Sequence, residues 1–517
     1  MQENLLMSDN FKMLWIDIDT LRPDHLGCYG YERPTSPNID QLAKEGLRLE
    51  ELYTSDSPCL PSRSALQTGL FGIHTGAVGH GGTAADPFSE GLRRGFQSPR
   101  AFHSFASVLS RKKIWTATIS VFAQRHSAMH WYAGFNEVLQ DGYNTYFSEG
   151  VTPHALEWLK RNAKRESWFL HVHVWDPHTP YTATKEMAEN LGDQRPGWIT
   201  QEILEKHQTL AGPHSASETL GFDPDSDISK YFSRFPLMSP TLKTLEDVDR
   251  MFDGYDTGIM RADTMVGKLM NALDEQGVID ETAVIVSSDH GENFGELGVY
   301  CDHQTADEYT HHLPGIIKWP GLDGASQGKS DKGKHYQVDL AASVLELAGA
   351  EVPESWDGVS FADSIKDGTG QEDGTSGRDS LVFSAAAWTV QRSLRWENWL
   401  YMYTRHDGYH CFPEEMLFNL DEDPHLLNDL TETEPQIVAS ATKELTKWKD
   451  EMLSSSIHEV DPHDIVLQEG GPFHIWGQLP AYIERLRATG REPIAKDLAM
   501  RYPEAAAGKD PKPPWFY

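Results

Sequence analysis

The sequence has little cysteine and no long hydrophobic run. Its 517 residues include 4 cysteines, which are widely separated and form no CxxC pair. This scarcity argues against a disulfide framework and against a zinc site built from paired thiolates. No stretch approaches the roughly 20 apolar residues of a membrane-spanning helix, and the start, MQENLLMSDNFK, lacks the basic and apolar segments of a secretory signal. We therefore expect a cytoplasmic protein, or a periplasmic or secreted one if a leader has been trimmed.

Positive charge is also scarce, with 45 basic residues against 78 acidic ones and a formal net charge of -33. A surface of this sign repels nucleic acids and anionic membranes, so we expect neither as a partner. A small anionic substrate is still compatible with it. The Debye length at physiological salt is about 8 Å, and a local cluster of cations can therefore dominate the field near a site.

Three short apolar segments rich in β-favouring residues predict buried strands: Lys12–Ile18, Trp168–Trp175 and Ala283–Ser287. Apolar residues at helical spacing predict helices over Asn38–Glu45 and Asp256–Gln276. Strands that alternate with helices indicate an α/β fold, with a large, mostly parallel or mixed sheet sandwiched by helices. All three strands end in polar residues, and such sheets bind ligands beyond the carboxyl ends of their strands. The sequence therefore predicts a functional site at this edge.

The chain is too long for one ordinary core, and its character changes after about residue 378. We predict a main α/β domain over residues 1–378 and a C-terminal α+β subdomain over 379–452. The subdomain is expected to combine a smaller antiparallel sheet, with one strand over Ser393–Thr404, and a single helix. An extended arm with one helical piece near Ala481–Arg487 is predicted over 453–517. It is expected to pack on the body or on a partner subunit, where it could support a homo-oligomer.

The run from Cys59 to Gly69, CLPSRSALQTG, is the most informative part of the sequence. A cysteine at the start of a helix could act as a nucleophile, because the helix dipole and free N–H groups favour the thiolate. An isolated cysteine there would more often be a small buried residue. The pattern Cys-x-Pro-Ser-Arg followed by Thr-Gly is more specific. It resembles the signature of the type I sulfatases, in which this cysteine is oxidised to formylglycine.

The resemblance to the formylglycine-dependent sulfatases of the alkaline phosphatase superfamily extends over most of the chain. It is carried by IDTLRPDHLGCYGY, CLPSRSALQTG, DPHTPY, VSSDHGENFGELG and LFNLDEDPHLLNDL, in the family's order. It implies an alkaline-phosphatase-like fold and the hydrolysis of sulfate monoesters by a hydrated formylglycine derived from Cys59. It also implies a partner, the formylglycine-generating enzyme that matures this cysteine.

Carboxylates follow two of the predicted strands, Asp19 after the first and Asp289 after the third, and His290 comes next. Two acids that flank one pocket repel each other unless a cation lies between them, and carboxylate oxygens suit Ca²⁺, Mg²⁺ or Mn²⁺. The resemblance implies Ca²⁺, with Mn²⁺ or Mg²⁺ as alternatives. Its ligands by position would be Asp19, Asp289, His290 and the modified Cys59.

The resemblance also implies catalytic roles for Arg63, His178 and His303. Arg63 lies one helical turn after Cys59, and we expect it to hydrogen-bond the formylglycine hydrate. His178 follows a strand end in the sequence DPHTPY, and we expect it to contact the sulfate and to protonate the leaving oxygen as a general acid. His303 falls where the family has a substrate-binding lysine, and it could bind an anionic oxygen.

The sequence departs from the family's usual pattern in further places. Thr20 stands where many members have a second acid, so the site carries one less negative charge. Asp17 lies two residues before Asp19 on the same strand face, and we expect it to support the site rather than to bind the cation. A Gly-Lys-x-His element is absent, and Arg125 and His126 are candidate substrate-binding residues in its place.

The nature of the substrate is predicted from the surroundings of the motifs. His80, in the loop HTGAVGHGGTAAD, is a candidate substrate-binding residue, and it could form a sugar-stacking wall with aromatic residues of the C-terminal tail. We expect a sulfated small molecule or oligosaccharide, such as a glycosaminoglycan or marine polysaccharide fragment cleaved in the exo mode. A phosphonate monoester hydrolase or phosphodiesterase with the same nucleophile is one alternative. A non-catalytic protein that binds sulfated glycans is another.

Overall fold

The computed structural model describes residues 10–89, 99–142, 146–322 and 326–509. The strands in this part of the chain are β1 (Lys12–Ile18), β2 (Leu47–Tyr53), β3 (Asp56–Ser57), β4 (Trp115–Ile119), β5 (Glu137–Leu139), β6 (Trp168–Val174), β7 (Thr282–Ser287), β8 (Asn293–Phe294), β9 (Tyr300–Asp302), β10 (His312–Lys318), β11 (Lys329–Tyr336), β12 (Ser380–Ala385), β13 (Val390–Trp396), β14 (Trp399–His406) and β15 (Glu415–Asn419). Within the same ranges, the largest sheet has eight strands in the order β11-β2-β10-β7-β1-β6-β4-β5.

Helices cover both faces of this sheet, and others belong to the C-terminal part of the chain. In chain order, the helices of the described residues are α1 (Pro37–Glu45), α2 (Cys59–Thr68), α3 (Gly72–Thr75), α4 (Pro99–Phe102), α5 (Phe105–Arg111), α6 (Phe122–Arg125), α7 (Ser148–Asn162), α8 (Lys185–Ala188), α9 (Gln201–His207), α10 (Asp227–Phe232), α11 (Leu245–Glu275), α12 (Glu308–His311), α13 (Gln337–Leu347), α14 (Ala362–Asp367), α15 (Pro435–Ser455), α16 (Pro462–Gln468), α17 (Leu479–Ala488), α18 (Glu492–Arg501) and α19 (Pro503–Ala506). Among the residues described, none of these helices combines the length and the apolar character needed to cross a membrane.

The central strand β1 shows why the sheet must be covered on both sides. Its residues alternate between two cores, with Leu14 and Ile16 packed among side chains of α1, α7 and α11. Met13 and Trp15 point the other way and pack with side chains of α5, α13 and α14. β1 pairs in parallel with both β6 and β7, whereas β10 is antiparallel. The predicted fold class, a mostly parallel or mixed sheet sandwiched by helices, is confirmed.

The strand registers bring the carboxyl ends of three strands to one edge. Ile18 of β1 lies opposite Val174 of β6, and Asp17 lies opposite Ser287 of β7. Residues that directly follow these strands must therefore meet at this edge, because parallel strands in register end together. Asp19 directly follows β1, and Asp289 lies two residues after the end of β7.

A smaller sheet has the order β15-β14-β13-β12-β3 in the described ranges, with α15 packed against it. The strand predicted over Ser393–Thr404 is wrong. It is two antiparallel strands, β13 and β14, that turn at Glu397, whose φ is 43°. The sheet takes its edge strand β3 from just before α2, where Ser384 pairs with Asp56. The domain boundary at residue 378 stays a prediction, and this pairing joins the chain across it.

The C-terminal arm is not extended in the described residues 453–509, so that part of the prediction is wrong. It consists largely of α16 to α19 and the turns between them, and the helical piece predicted near Ala481–Arg487 lies within α17. Ile475, Leu479 and Leu486 are buried in a core of their own with Tyr409 and Ala211. The arm becomes helical because its apolar residues are spaced to pack on each other and on the body.

Candidate active site

Cys59 is the first residue of α2 and lies at the carboxyl edge of the large sheet. Its side chain is buried, with 2% of the residue exposed. Its Sγ lies 3.1 Å from Nε2 of His290. Ser62, one turn later, donates a hydrogen bond of 2.6 Å to the backbone carbonyl of Asp289. The helix is thereby fixed against the loop that follows β7, and position 59 is held over the strand ends.

The structure brings together the four residues expected to bind a cation. Ligand atoms of Asp19, Cys59, Asp289 and His290 lie within 4.8 Å of one another, and all four residues are buried. Nε2 of His290 is 3.8 Å from Asp19 and 3.5 Å from Asp289. Oδ1 of Asp19 is buried without a hydrogen-bond partner among the described residues. A buried carboxylate oxygen is costly to leave unpaired, so this oxygen fits a ligand of a cation.

The pKa values of Asp19 and Asp289 also support a cation site between these two acids. Burial raises the pKa of Asp289 to about 7, and the nearby charge of Asp19 adds to the shift although Arg63 opposes it. Burial alone would also raise the pKa of Asp19. A hydrogen bond from His173 and the charges of His178 and Arg63 hold that pKa well below its ordinary value instead. A divalent cation between the two acids would stabilise both as carboxylates.

The guanidinium of Arg63 forms ion pairs with three carboxylates. Its guanidinium donates to Oδ2 of Asp289 at 3.1 Å and to Oδ2 of Asp19 at 3.0 Å, and it also pairs with Asp17. All of these groups are buried. Arg63 therefore orients the acids of the cluster and balances their charge, and its expected hydrogen bond to the modified cysteine would have to be made alongside these contacts.

Two strand histidines support the same acids. Nε2 of His171 lies 3.2 Å from Asp17, and Nε2 of His173 lies 3.3 Å from Asp19. Their Nδ1 atoms face hydroxyl groups on β4 and directly after it, of Thr118 at 3.0 Å and Ser120 at 2.9 Å. This chain of polar contacts crosses the sheet and fixes the carboxylates from behind. Asp17 contacts Arg63 and His171 and lies outside the four-residue cluster, which agrees with its expected supporting position.

His178 and His303 lie beside Cys59. Their ring centroids are 5.3 Å apart, and the His303 ring is 4.0 Å from that of His290. Burial lowers the pKa of His178 to about 4, although Asp19 opposes the shift, and burial also lowers the pKa of His303 well below its usual value. Both shifts favour the neutral form of these rings. A general acid at His178 would need a proton that the ring does not hold there by itself.

Arg125, His126 and His80 lie on the neighbouring side of the site. The Arg125 guanidinium is 5.2 Å from the ring centroid of Trp175, the residue that follows β6. The rings of His80 and His126 are 4.8 Å apart. Burial and the charge of Arg125 lower the pKa of His126 well below its usual value. Nε2 of each histidine is buried without a hydrogen-bond partner within the described chain, which makes both available to a bound polar group.

The structure adds residues that the sequence did not indicate. Nε2 of His474, from the C-terminal arm, lies 2.9 Å from Nδ1 of His80, and its ring stacks on Trp388 with centroids 4.6 Å apart. His214 pairs with Asp302 at 2.9 Å. Isolated histidines in long loops carry no local pattern that marks them for a site. Only the tertiary contacts identify them.

Comparison with protein families places most of the chain in one of them. The model of the family described as Sulfatase matches residues 12–350. The choline-sulfatase of Rhizobium meliloti (strain 1021) is 23% identical over 494 residues, covering 86% of this chain and 89% of that protein. The family match spans β1 to β11, α2 and the loops that carry Asp19, His178, Asp289 and His303.

Solved structures share the fold. One, a protein in complex with its substrate D-glucosamine-2-N,6-O-disulfate, superposes with a TM-score of 0.66 at 18% identity, covering 88% of this chain and 99% of that one. The phosphonate monoester hydrolase of Agrobacterium radiobacter gives a TM-score of 0.62 at 16% identity, covering 85% and 96%.

Proposed function

The chain belongs to the sulfatase family of sulfuric ester hydrolases, and on this premise we propose that it hydrolyses sulfate monoesters of saccharides through a formylglycine at position 59. The observation that carries the proposal is the position of Cys59. It begins a helix inside an intact Cys-x-Pro-Ser-Arg pattern, with the carboxylates of Asp19 and Asp289 and the ring of His290 around it.

The modification would be made by a separate maturing enzyme. Conversion of the cysteine side chain to an aldehyde removes sulfur as hydrogen sulfide, adds one oxygen atom and passes two electrons to an external oxidant. The hydrated aldehyde would supply one hydroxyl group to attack sulfur and a second whose deprotonation releases sulfate and restores the aldehyde. Serine or unmodified cysteine lacks the second hydroxyl and would remain esterified.

Asp19, Asp289 and His290 would hold the cation, with the side chain at position 59 as a further ligand. Ca²⁺ fits the oxygen donors, and Mn²⁺ fits the additional imidazole. When bound, the cation would lower the pKa of a hydroxyl group at position 59 and offset the charge of the sulfate. Arg63 would keep the two carboxylates ionised and in place, and so act through them as a positioning residue.

The leaving alcohol is proposed to be a sugar. The side of the site formed by His80, His126, Trp388 and His474, named here the histidine wall, offers a stacked aromatic pair and ring nitrogens that can bind hydroxyl groups. The substrate bound by one structural neighbour is a sulfated amino sugar. Burial lowers the pKa of His80, His126 and His474, which favours neutral rings, and neutral rings suit the hydroxyl groups of a saccharide better than a second strong anion.

A phosphonate monoester or phosphodiester is the second candidate substrate. Thr20 stands where many sulfatases have a second acid, so the cation site carries one less negative charge. A phosphonate monoester hydrolase also shares the fold. Comparing a sulfate ester and a phosphate diester of 4-nitrophenol separates the two. We expect the sulfate ester to react with the higher kcat/KM, and the reverse order would overturn the assignment.

The decisive test joins activity to the chemical state of position 59. Mass spectrometry should find the Cys59 peptide about 18 Da lighter than cysteine predicts in active protein. Cys59→Ala should keep the fold and lose at least about 10⁴-fold in kcat, as is usual when a nucleophile is removed. Full turnover by protein that retains cysteine would rule out the formylglycine mechanism. Tight binding of sulfated sugars without turnover by modified protein would favour a binding protein.

A further inference from the structure

A second set of ligand atoms converges on Cys59 beside the carboxylate cluster. Atoms of Cys59, His178 and His303 lie within 4.8 Å of one another, and all three residues are buried. The two histidine rings are inclined at 65°, with centroids 5.3 Å apart. They come from different loops, after β6 and after β9, so their approach is a property of the tertiary fold.

In each ring, Nδ1 lies within hydrogen-bond distance of an oxygen atom. Nδ1 of His178 is 2.5 Å from the carbonyl oxygen of Thr179, and Nδ1 of His303 is 3.0 Å from Oε2 of Glu292. An N–H at Nδ1 that donates to these oxygens leaves the lone pair on Nε2. Histidines that bind metals are oriented in this way, by a carbonyl or a carboxylate behind the ring.

The donor atoms differ in kind from those of the carboxylate cluster. Two imidazole nitrogens and one sulfur are softer than the oxygens of Asp19 and Asp289, and Zn²⁺ takes such ligands in tetrahedral geometry. Three ligands leave a fourth position for water. Asp302, whose Oδ1 is 3.9 Å from Nε2 of His303, adds negative charge beside this group.

We propose that Cys59, His178 and His303 form a second cation site that binds Zn²⁺ while Cys59 is unmodified. Binding converts the thiol to a zinc-bound thiolate and releases one proton. The proposal concerns the unmodified chain and does not depend on the proposed substrate.

The test uses full-length protein whose Cys59 is shown by mass spectrometry to be unmodified. Zn²⁺ affinity is measured by competition with a chelating dye, and Co²⁺ is added in place of Zn²⁺ to report a thiolate-to-cobalt charge-transfer band. We expect His303→Gln and His178→Gln each to weaken Zn²⁺ binding by more than about 100-fold, since loss of a ligand exceeds the 10- to 100-fold effect of losing an outer partner. His303→Cys should restore tight binding because it returns a zinc ligand.

Two matched variants separate this site from its neighbours. Asp289→Asn removes a ligand of the carboxylate cluster, and His126→Ala removes a nearby histidine outside the three-residue set. Both variants should keep the charge-transfer band. Unchanged Zn²⁺ affinity in both Gln variants would overturn the proposal. Loss of the band in Asp289→Asn but not in His303→Gln would also overturn it, because Zn²⁺ would then lie in the carboxylate cluster. Circular dichroism checks that every variant is folded.

Discussion

Thr20 illustrates at the residue scale how the site differs from a site with two adjacent acids. It is β-branched yet has a φ of 59°, a left-handed conformation that costs about 1–3 kcal/mol. Its amide donates to Oδ1 of Asp289 at 3.3 Å, and its hydroxyl donates to the carbonyl of Asp19 at 2.7 Å. The carbonyl of Thr20 in turn accepts a hydrogen bond of 2.7 Å from the hydroxyl of Tyr255. The hydroxyl proton of Thr20 is thus used within the backbone turn that carries Asp19. Thr20 shapes the loop, and the acids alone supply the charge.

The pKa of Asp289 gives a prediction for stability. In cation-free protein this pKa is raised from its ordinary value to about 7, so the folded state binds more protons than the unfolded state between about pH 4 and 7. The contribution of Asp289 to stability is therefore lost as pH rises through this window. Asp289→Asn cannot ionise, so its Tm relative to wild type should rise between pH 5 and pH 8 without added cation.

Calcium supplies the control for this prediction. Saturating Ca²⁺ stabilises the ionised carboxylate, so the wild type should regain stability at pH 8 while Asp289→Asn regains little. Thermal unfolding followed at both pH values, with and without Ca²⁺, measures both effects. Equal pH dependence in the two proteins would show that Asp289 is not the group that titrates.

At the element scale, α11 begins at Leu245, eleven residues before the predicted start at Asp256. The apolar spacing extends into these early turns, since Val248, Met251 and Phe252 lie on the same buried face as Ile259, so the pattern itself continues beyond the predicted start. A local signal was present, since Thr244 and Asp247 form a capping box. An ambiguity merged β13 and β14, because the turn between Trp396 and Trp399 is only two residues long and apolar residues flank it on both sides.

The capping box can be tested by one substitution. Thr244→Ala should lower the free energy of unfolding by about 1 kcal/mol, because the first turn of α11 loses a hydrogen-bond acceptor. Thr264→Ala, on the exposed middle of the same helix, is the matched control and should change stability by less than about 0.5 kcal/mol. Chemical denaturation of both variants measures the difference. Equal losses of stability in the two variants would mean that replacing any threonine of this helix has the same effect, and that the capping box contributes nothing further.

At the scale of the whole molecule, the order of β1, α2, β6 and β7 lets the sequence predict the centre of the site. Asp19, Cys59 and Asp289 each directly follow or begin an element whose pattern is local, and parallel strands bring their ends together. The contacts of Arg63 and the position of His474 could not be predicted in this way. His80 and His474 are 394 positions apart, and only the packing of the C-terminal helices brings them together.

The histidine wall leads to a prediction that depends on this long-range packing. His474→Ala should lower kcat/KM for a sulfated disaccharide about 3- to 10-fold, the effect of losing one neutral hydrogen bond. It should leave 4-nitrophenyl sulfate nearly unchanged, because that substrate has no sugar hydroxyl group to bind. His154→Ala, on α7, where Nε2 of His154 lies 3.9 Å from Asp141, is the matched control and should affect neither substrate. Equal losses of kcat/KM on both substrates would mean that His474 supports the fold of the site. No loss on either substrate would mean that the histidine wall does not bind the substrate.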